Sequence, residues 1–417
     1  MKLSTQPYKG TRDFYPEDKR LQKYIFSKWR EVCERFGYQE YDGPILEPLE
    51  LYASKTSEEI VNEQTYSFTD RGDRKVVMRP EMTPTVSRMV AARRQELAYP
   101  IRLYSIPNCF RYERPQKGRL REFWQLNADI FGVEGIEADV EVITLANAVM
   151  KSFGAKSSQY EIKVSSRQYI NDKFDGLGLI EEQKKVALEL IDKREKIKPE
   201  DFDELLVELL KKDKAVEFLK FLNDKTPPPK IVDLLSRLSS AGVDNVVFNP
   251  EIARGFDYYT DIVFEVFDTN PDNNRSMFGG GRYDGLVGAF GVEPVATVGF
   301  GMGDVTLQNF LESNELTPKL RSETDLAVVL VGEVQQKASK PIDLLREMGL
   351  NVSVDFTDRK LDKKIKAVDK LGVRYVLFMG EEELSNELYV LKDLVTGKQE
   401  TKSIERVVSI IEDYRNS

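Results

Sequence analysis

Three observations predict an α+β chain with a helical insertion and a C-terminal α/β domain. Residues 110–132 and 246–303 carry strand patterns, either alternating at period two or rich in aromatics and glycine. Residues 166–244 are instead rich in Lys, Glu, Asp and Leu with few β-branched runs, the composition of amphipathic helices. From residue 323 strands and helices alternate, the pattern of parallel strands joined by right-handed crossovers. A length of 417 residues leaves room for roughly two to four domains. The expected division is a sheet-based core in two parts, 1–165 and 245–322, an insertion at 166–244, and a last domain at 323–417.

Charged residues at 31% and hydrophobic ones at 41% indicate a globular chain. The net charge of -9 does not exclude a nucleic-acid partner, because phosphate contacts need only a local basic surface. Two cysteines, Cys33 and Cys109, give no disulfide framework and no metal cluster, so no protein-held metal is expected. MKLSTQPYKG lacks an apolar signal core and no run reaches the length of a membrane span, so the expectation is a cytoplasmic protein with no membrane partner. Histidine is absent, which removes histidine triads, general bases and metal ligands from consideration.

In chain order, Leu21, Tyr24, Ile25, Trp29, Val32 and Cys33 recur at helical spacing and predict a helix over 17–36, ended by Gly37. GYQEYDGPILEPLELY follows as an edge or interface strand interrupted at Gly43-Pro44. RPEMT, from Arg79, stands before a helix. A further helix is expected from Thr144 to about Phe153. IEEQKKVALELIDK and PEDFDELLVELLKK are helical, with Pro199 at a start, and TPPPK (226–230) breaks the helical region. Strands resume at Val246, and residues 313–324 read as a polar linker. The last part runs strand, helix, strand, helix, strand, strand, helix, with a mostly parallel sheet.

The segment Phe110–Gly132, FRYERPQKGRLREFWQLNADIFG, carries the most chemistry. It reads as two strands flanking a basic loop. At period two Phe123, Gln125, Asn127 and Asp129 share one face, and Trp124, Leu126, Ala128 and Ile130 the other. The second face suits a core. The first offers a ring, an amide and a carboxylate in a row. Arg111 and Glu113 share a face of the first strand, and Arg114, Lys117, Arg119 and Arg121 crowd the connection. Guanidiniums suit phosphate oxygens and a ring suits stacking on a base, so this is a candidate site for a nucleoside triphosphate beside a small polar ligand. A solvated basic hairpin packed on a sheet has the same pattern.

This segment resembles motif 2 of class II aminoacyl-tRNA synthetases, and FRYERPQKGR is similar to the histidyl branch in particular. EIARGFDYYTDIVFE (251–265) resembles that branch's RG-x-DYY signature, and FGGGRYDGL (278–286) its second signature. The motifs stand in the family's order, from GTRD (10–13) to the final helix, with the insertion matched by position and helicity alone. The resemblance implies a class II antiparallel catalytic sheet, and GYQEYDGPILEPLELY as motif 1, the dimer interface. It implies activation of histidine by ATP to an adenylate, transfer to tRNA(His), and a homodimer.

By the same resemblance, Glu81 and Thr83 hold the substrate α-amino group with help from Gln125. Asp129, Tyr258, Tyr259 and Tyr283 form the imidazole pocket. Arg254 contacts the α-phosphate and the carboxylate, where its fixed charge meets the charge growing at phosphorus. Arg111, Glu113, Arg119 and Phe123 take ATP, with Mg²⁺ bridging phosphate oxygens. Gln116, Arg121, Arg359 and Lys363 contact tRNA, the last two on a basic helical surface that includes Lys360, Lys364 and Lys366. An ordinary solvated lysine-rich helix reads the same way. Thr306 stands where motif 3 usually has an arginine over the adenine, a loss of about 0.5–2 kcal/mol of stacking. That departure points toward a rival, the non-catalytic histidyl-synthetase-like regulatory subunits of ATP phosphoribosyltransferase. Those generally lack the C-terminal domain expected here.

Overall fold

The computed structural model describes residues 3–53, 64–114, 118–194, 197–252, 258–273 and 275–416. Two compact units divide at Pro318/Lys319, inside the stretch read as a linker.

In the first unit the strands are β1 (Gln39–Glu40), β2 (Leu46–Pro48), β3 (Tyr66–Thr69), β4 (Lys75–Met78), β5 (Ile101–Ser105), β6 (Asn108–Phe110), β7 (Glu122–Phe131), β8 (Tyr160–Ser166), β9 (Val246–Phe248), β10 (Ile262–Asp268), β11 (Ser276–Arg282) and β12 (Thr297–Gly303). A nine-stranded sheet runs β1-β5-β7-β12-β11-β10-β8-β9, with β6 pairing β7. It is antiparallel except at its two edge pairs, β1 with β5 and β8 with β9. GYQEYDGPILEPLELY is therefore not one interrupted strand. β1 joins the large sheet, while β2 joins a small sheet ordered β2-β4-β3. Gly43 sits at the switch, where a Cβ would lie 2.6 Å from Thr85 Cγ2 and 2.9 Å from Met82 Cε, so glycine lets the chain cross close to those side chains.

The helix predicted over 17–36 spans Pro16–Arg35. The helix expected from Thr144 begins earlier, at Glu137, and ends at Ser152. Both pack on the Leu126 and Ala128 face of β7, in one cluster with Trp29, Val142, Ile143 and Phe310. The insertion helices Arg167–Gly176, Glu181–Lys193, Pro199–Leu210 and Lys212–Asn223 bury their own core, with Phe174 stacked on Phe218 at 5.6 Å. After TPPPK, the helix Pro229–Ser240 places Ile231, Leu234 and Leu238 in the core of the sheet instead.

The second unit holds β13 (Leu326–Leu330), β14 (Val352–Asp355), β15 (Tyr375–Met379), β16 (Tyr389–Asp393) and β17 (Gln399–Lys402), ordered β14-β13-β15-β16-β17. Only β14-β13-β15 is parallel, so the sheet is half parallel rather than mostly so. Helices Gln335–Glu347, Leu361–Lys370 and Ile404–Arg415 accompany it.

Candidate active site

β7 supplies the floor of a cleft, and the period-two reading of it holds in space. Leu126, Ala128 and Ile130 enter the core, while Gln125, Asn127 and Asp129 line a cavity of about 370 Å³. The cleft has room because β12 and β11, the next two strands, present backbone there. A Cβ on Gly299 would stand 1.9 Å from Asp129 Oδ1, and one on Gly301 would stand 2.7 Å from Gln125 Nε2. The register pairs Gly299 with Asp129 and Gly301 with Asn127.

The other walls come from distant segments. Glu81 and Thr83 arrive at the start of the helix Thr83–Ala92, Arg111 just after β6, and Tyr258, Tyr259 and Tyr283 from around β10 and β11. Glu81 is 3% exposed, and its Oε2 accepts the Tyr258 hydroxyl at 3.0 Å. Asp129 is equally buried, and its Oδ1 accepts the Tyr283 hydroxyl at 2.5 Å. Burial pushes the Asp129 carboxyl up to about 7, and the Tyr283 bond opposes that rise. Tyr283 is itself pushed upward, by burial first and then by the Asp129 charge. The rings of Tyr258 and Tyr259 lie 4.9 Å apart, and those of Tyr258 and Tyr283 5.6 Å apart.

Of the residues singled out in the sequence, Glu81, Thr83, Arg111, Gln125, Asp129, Tyr258, Tyr259 and Tyr283 meet at this one cavity. Glu113, Arg119, Arg121 and Phe123 stand outside its walls but beside Arg111. Arg111 Nε donates to Pro80 O at 2.9 Å, its guanidinium is 3.9 Å from Glu113, and its Cζ lies 5.3 Å from the Phe123 ring centre. Arg119 reaches Glu113 at 3.2 Å. Arg121 donates to Glu113 O and covers the Tyr112 ring at 4.0 Å. Arg254 and Gln116 lie outside the described residues.

In the second unit Lys363 and Lys366 are exposed, and Arg359 is paired with Asp355 at 3.1 Å. Lys364 does not join that surface. It is 7% exposed and its ammonium donates to Leu330 O at 3.3 Å. Thr306 also faces inward, its single hydroxyl proton shared between Met277 O at 2.8 Å and Gly303 O at 3.1 Å. Asn127 was given no role in the sequence, although its place on the polar face of the strand was the available signal. The alternation of Gly299, Gly301 and Gly303 likewise marked one face of β12 as bare backbone. Among the described residues no group of three or more carboxylates and thiolates could hold a metal ion.

A family model for histidyl-tRNA synthetase matches residues 10–304, and one for the anticodon binding domain matches residues 325–414. The histidine–tRNA ligase of Leptospira biflexa is 41% identical over 429 aligned residues, covering 99% of this chain and 98% of the relative. That of Thermoplasma volcanium is 36% identical, covering 98% of this chain and 99% of the relative. In fold, the crystal structure of histidyl-tRNA synthetase from Nostoc sp. PCC 7120 matches with a TM-score of 0.82 at 23% identity, over 99% of this chain and 100% of that one. The apo enzyme of S. aureus matches at 0.74 and 24% identity, over 98% and 100%. Both halves of the large sheet and the domain after it are thus accounted for by one set of relatives, and the chain belongs to the histidyl-tRNA synthetase family.

Proposed function

We propose that the chain is a histidine–tRNA ligase, which activates histidine with ATP and transfers it to the 3′ end of tRNA(His). The observation that carries this is a cavity with two buried carboxylates, each held by a tyrosine hydroxyl. Glu81, with Thr83 and Gln125, suits an ammonium group. Asp129, with Tyr283 and Tyr259, suits a ring N–H. A histidine bound across the pair presents its carboxylate toward Arg111. That carboxylate is the nucleophile, so it attacks the α-phosphorus without a general base and pyrophosphate leaves. Arg111 and Arg254 stabilise the charge that grows at phosphorus, Arg119 takes the terminal phosphates, and Phe123 stacks on adenine.

Mg²⁺ bound to ATP would supply neutralisation of phosphate charge. Phosphate oxygens are its main ligands in this reading, because Glu113, the carboxylate on that side, is already engaged by Arg119 and Arg111. Within this reading the core is 1–165 and 245–322 together with the helix Pro229–Ser240 that packs on its sheet, the insertion helices from Arg167 to Asn223 meet the tRNA acceptor arm, and 323–417 meets the anticodon. Gln116 and Arg121 serve the acceptor end, and Arg359 and Lys363 the anticodon stem. A homodimer is supported by Ile45, Leu46 and Phe68, which leave the small sheet with exposed apolar side chains. No described helix is long and apolar enough to cross a membrane, and we place the enzyme in the cytoplasm. The regulatory alternative is set aside, because relatives matched end to end at 36–41% identity are histidine–tRNA ligases.

Pyrophosphate exchange measured with each amino acid tests the proposal. Exchange with histidine alone is the expected result, and exchange with a different amino acid, or with none, sinks it.

A further inference from the structure

On the Trp124 side of β7 a second cavity, of about 510 Å³ and open to solvent, is walled by Arg12, Asp13, Phe14, Asp18, Gln22 and Asp304. Asp304 is 3% exposed and is the first residue of the helix Asp304–Ser313. Its two oxygens do different things. Oδ2 accepts from Arg12 Nη2 at 2.7 Å, and Oδ1 accepts from the Trp124 backbone N–H at 2.9 Å. The second bond lies at the end of a ladder. β12 pairs with β7 as far as Gly303 opposite Gln125, then the chain turns into the helix. The next amide of β7 would lose its acceptor there, and the Asp304 carboxylate supplies one. That amide sits between Phe123 and Gln125.

Arg12 comes from the GTRD segment, 292 residues away in sequence. Its guanidinium lies 4.9 Å from the Phe14 ring centre and 5.9 Å from that of Trp124. Its Nε is buried without a hydrogen-bond partner among the described residues. Asp304 is therefore the carboxylate that holds it in place.

We propose that Arg12 is a positioning residue for both substrates: by pairing with Asp304 it anchors the strand backbone between the proposed adenine contact, Phe123, and the proposed histidine contact, Gln125. The inference rests on the function read above. It also bears on the motif 3 departure, since the helix that lacks an arginine at Thr306 receives one at its first residue from another segment.

The charge balance gives the test. Burial raises the Asp304 carboxyl, and Arg12, then the amides of Trp124 and Val305, pull it back. The other charged groups facing the cavity are Asp13 and Asp18, with Lys19 5.7 Å from the Phe14 ring centre. Arg12→Met keeps the stem but removes the cation. Its lone buried carboxylate is then neutral and in place at low pH, but charged and drawn toward solvent at high pH.

In pyrophosphate exchange we expect the KM values for ATP and histidine to rise together in Arg12→Met, by about tenfold at pH 8.5 and less at pH 6. The double variant Arg12→Met/Asp304→Asn keeps a neutral acceptor for the Trp124 amide, so its KM values should stay near the parent's at each pH. Arg12→Lys should recover most of the loss. A purely structural role would lower the fraction of active enzyme and leave both KM values and their pH profile alone. If Arg12→Met does not fold, Asp304→Ala decides, because Arg12 is 21% exposed and can turn to solvent. Both KM values should then rise by a similar factor. KM values within about twofold of the parent across the pH range in the folded variants, well below the loss of one such bond, overturn the proposal. A parent that shows no histidine-dependent exchange would instead overturn the functional reading on which it rests.

Discussion

Strands β7 and β13 are both deeply buried, and they are filled in opposite ways. β13 reads LAVVL, and all five residues are buried and apolar, as a strand covered on both faces requires. The buried half of β7 interleaves Asn127 and Asp129 with Leu126, Ala128 and Ile130, and its neighbour β12 answers with glycines rather than side chains. The first strand serves only stability. The second gives up apolar contact on one face, and its Asp129 carboxyl is held at about 7 by burial. Polar burial beside bare backbone is how the active part of this molecule differs from the part that only has to fold.

The largest expected effect is at the chemistry itself. Arg254→Ala should cut adenylate formation by about 10²–10³ without changing the unfolding midpoint, and exchange close to the parent's would remove Arg254 from the mechanism. Next comes a matched pair, one substitution in each sheet. Leu377→Ala in β15 should destabilise the second unit by about 2–5 kcal/mol in urea unfolding and leave histidine-dependent exchange intact. Gly299→Ala should instead act on binding, with the added methyl pushing Asp129 aside and the histidine KM rising by roughly 5- to 150-fold, the equivalent of about 1–3 kcal/mol, alongside an overpacking loss of stability confined to the first unit. Similar behaviour of the two variants would erase the distinction between the sheets.

Asp129→Asn sharpens it by pH. The folded-state value of about 7 lies above the ordinary 3.8, so Asp129 lowers stability progressively as pH rises through that window. The asparagine variant should therefore resist urea better than the parent at pH 8, with a smaller advantage at pH 5. Its histidine KM should rise about tenfold through the changed hydrogen bond. A stability difference that does not depend on pH would show that Asp129 is not the titrating group. The smallest effect is at Thr306. Thr306→Arg gains roughly 1 kcal/mol of stacking on adenine but loses the hydroxyl bonds to Met277 and Gly303. ATP affinity should move by less than about threefold, since each such bond is worth about 0.5–1.5 kcal/mol.

Much of this was legible in the sequence, because period two survives folding. The alternation in β7 alone separates the core face from the face that lines the cavity. The misread places share a cause: a residue whose type is typical of one environment is held in another by a distant partner. The helix Glu137–Ser152 begins seven residues before Thr144, and Asp139, near its start, is a carboxylate where a surface residue would be expected. It is 1% exposed and paired with Arg282 at 2.6 Å. Lys364 is of the same type as its exposed neighbours Lys363 and Lys366, and the carbonyl of Leu330 holds it inside. β17, with the sequence QETK, has no alternation and exists as a strand through its pairing with β16. The Asp304 carboxylate joins residues far apart in the chain, and no local pattern marks it.

The bare floor of the cleft also shapes how this enzyme can change over generations. Every amino-acid replacement at Gly299 or Gly301 adds at least a Cβ, 1.9 Å from Asp129 at one position and 2.7 Å from Gln125 at the other. At Gly299 the backbone carbonyl of Ala128, 2.9 Å from such a Cβ, cannot step aside, so that site leaves the least room for change. In the proposed histidine pocket, change enters more readily through the walls, at Asp129, Tyr259 or Tyr283, where one side chain can replace another while the backbone beneath stays fixed.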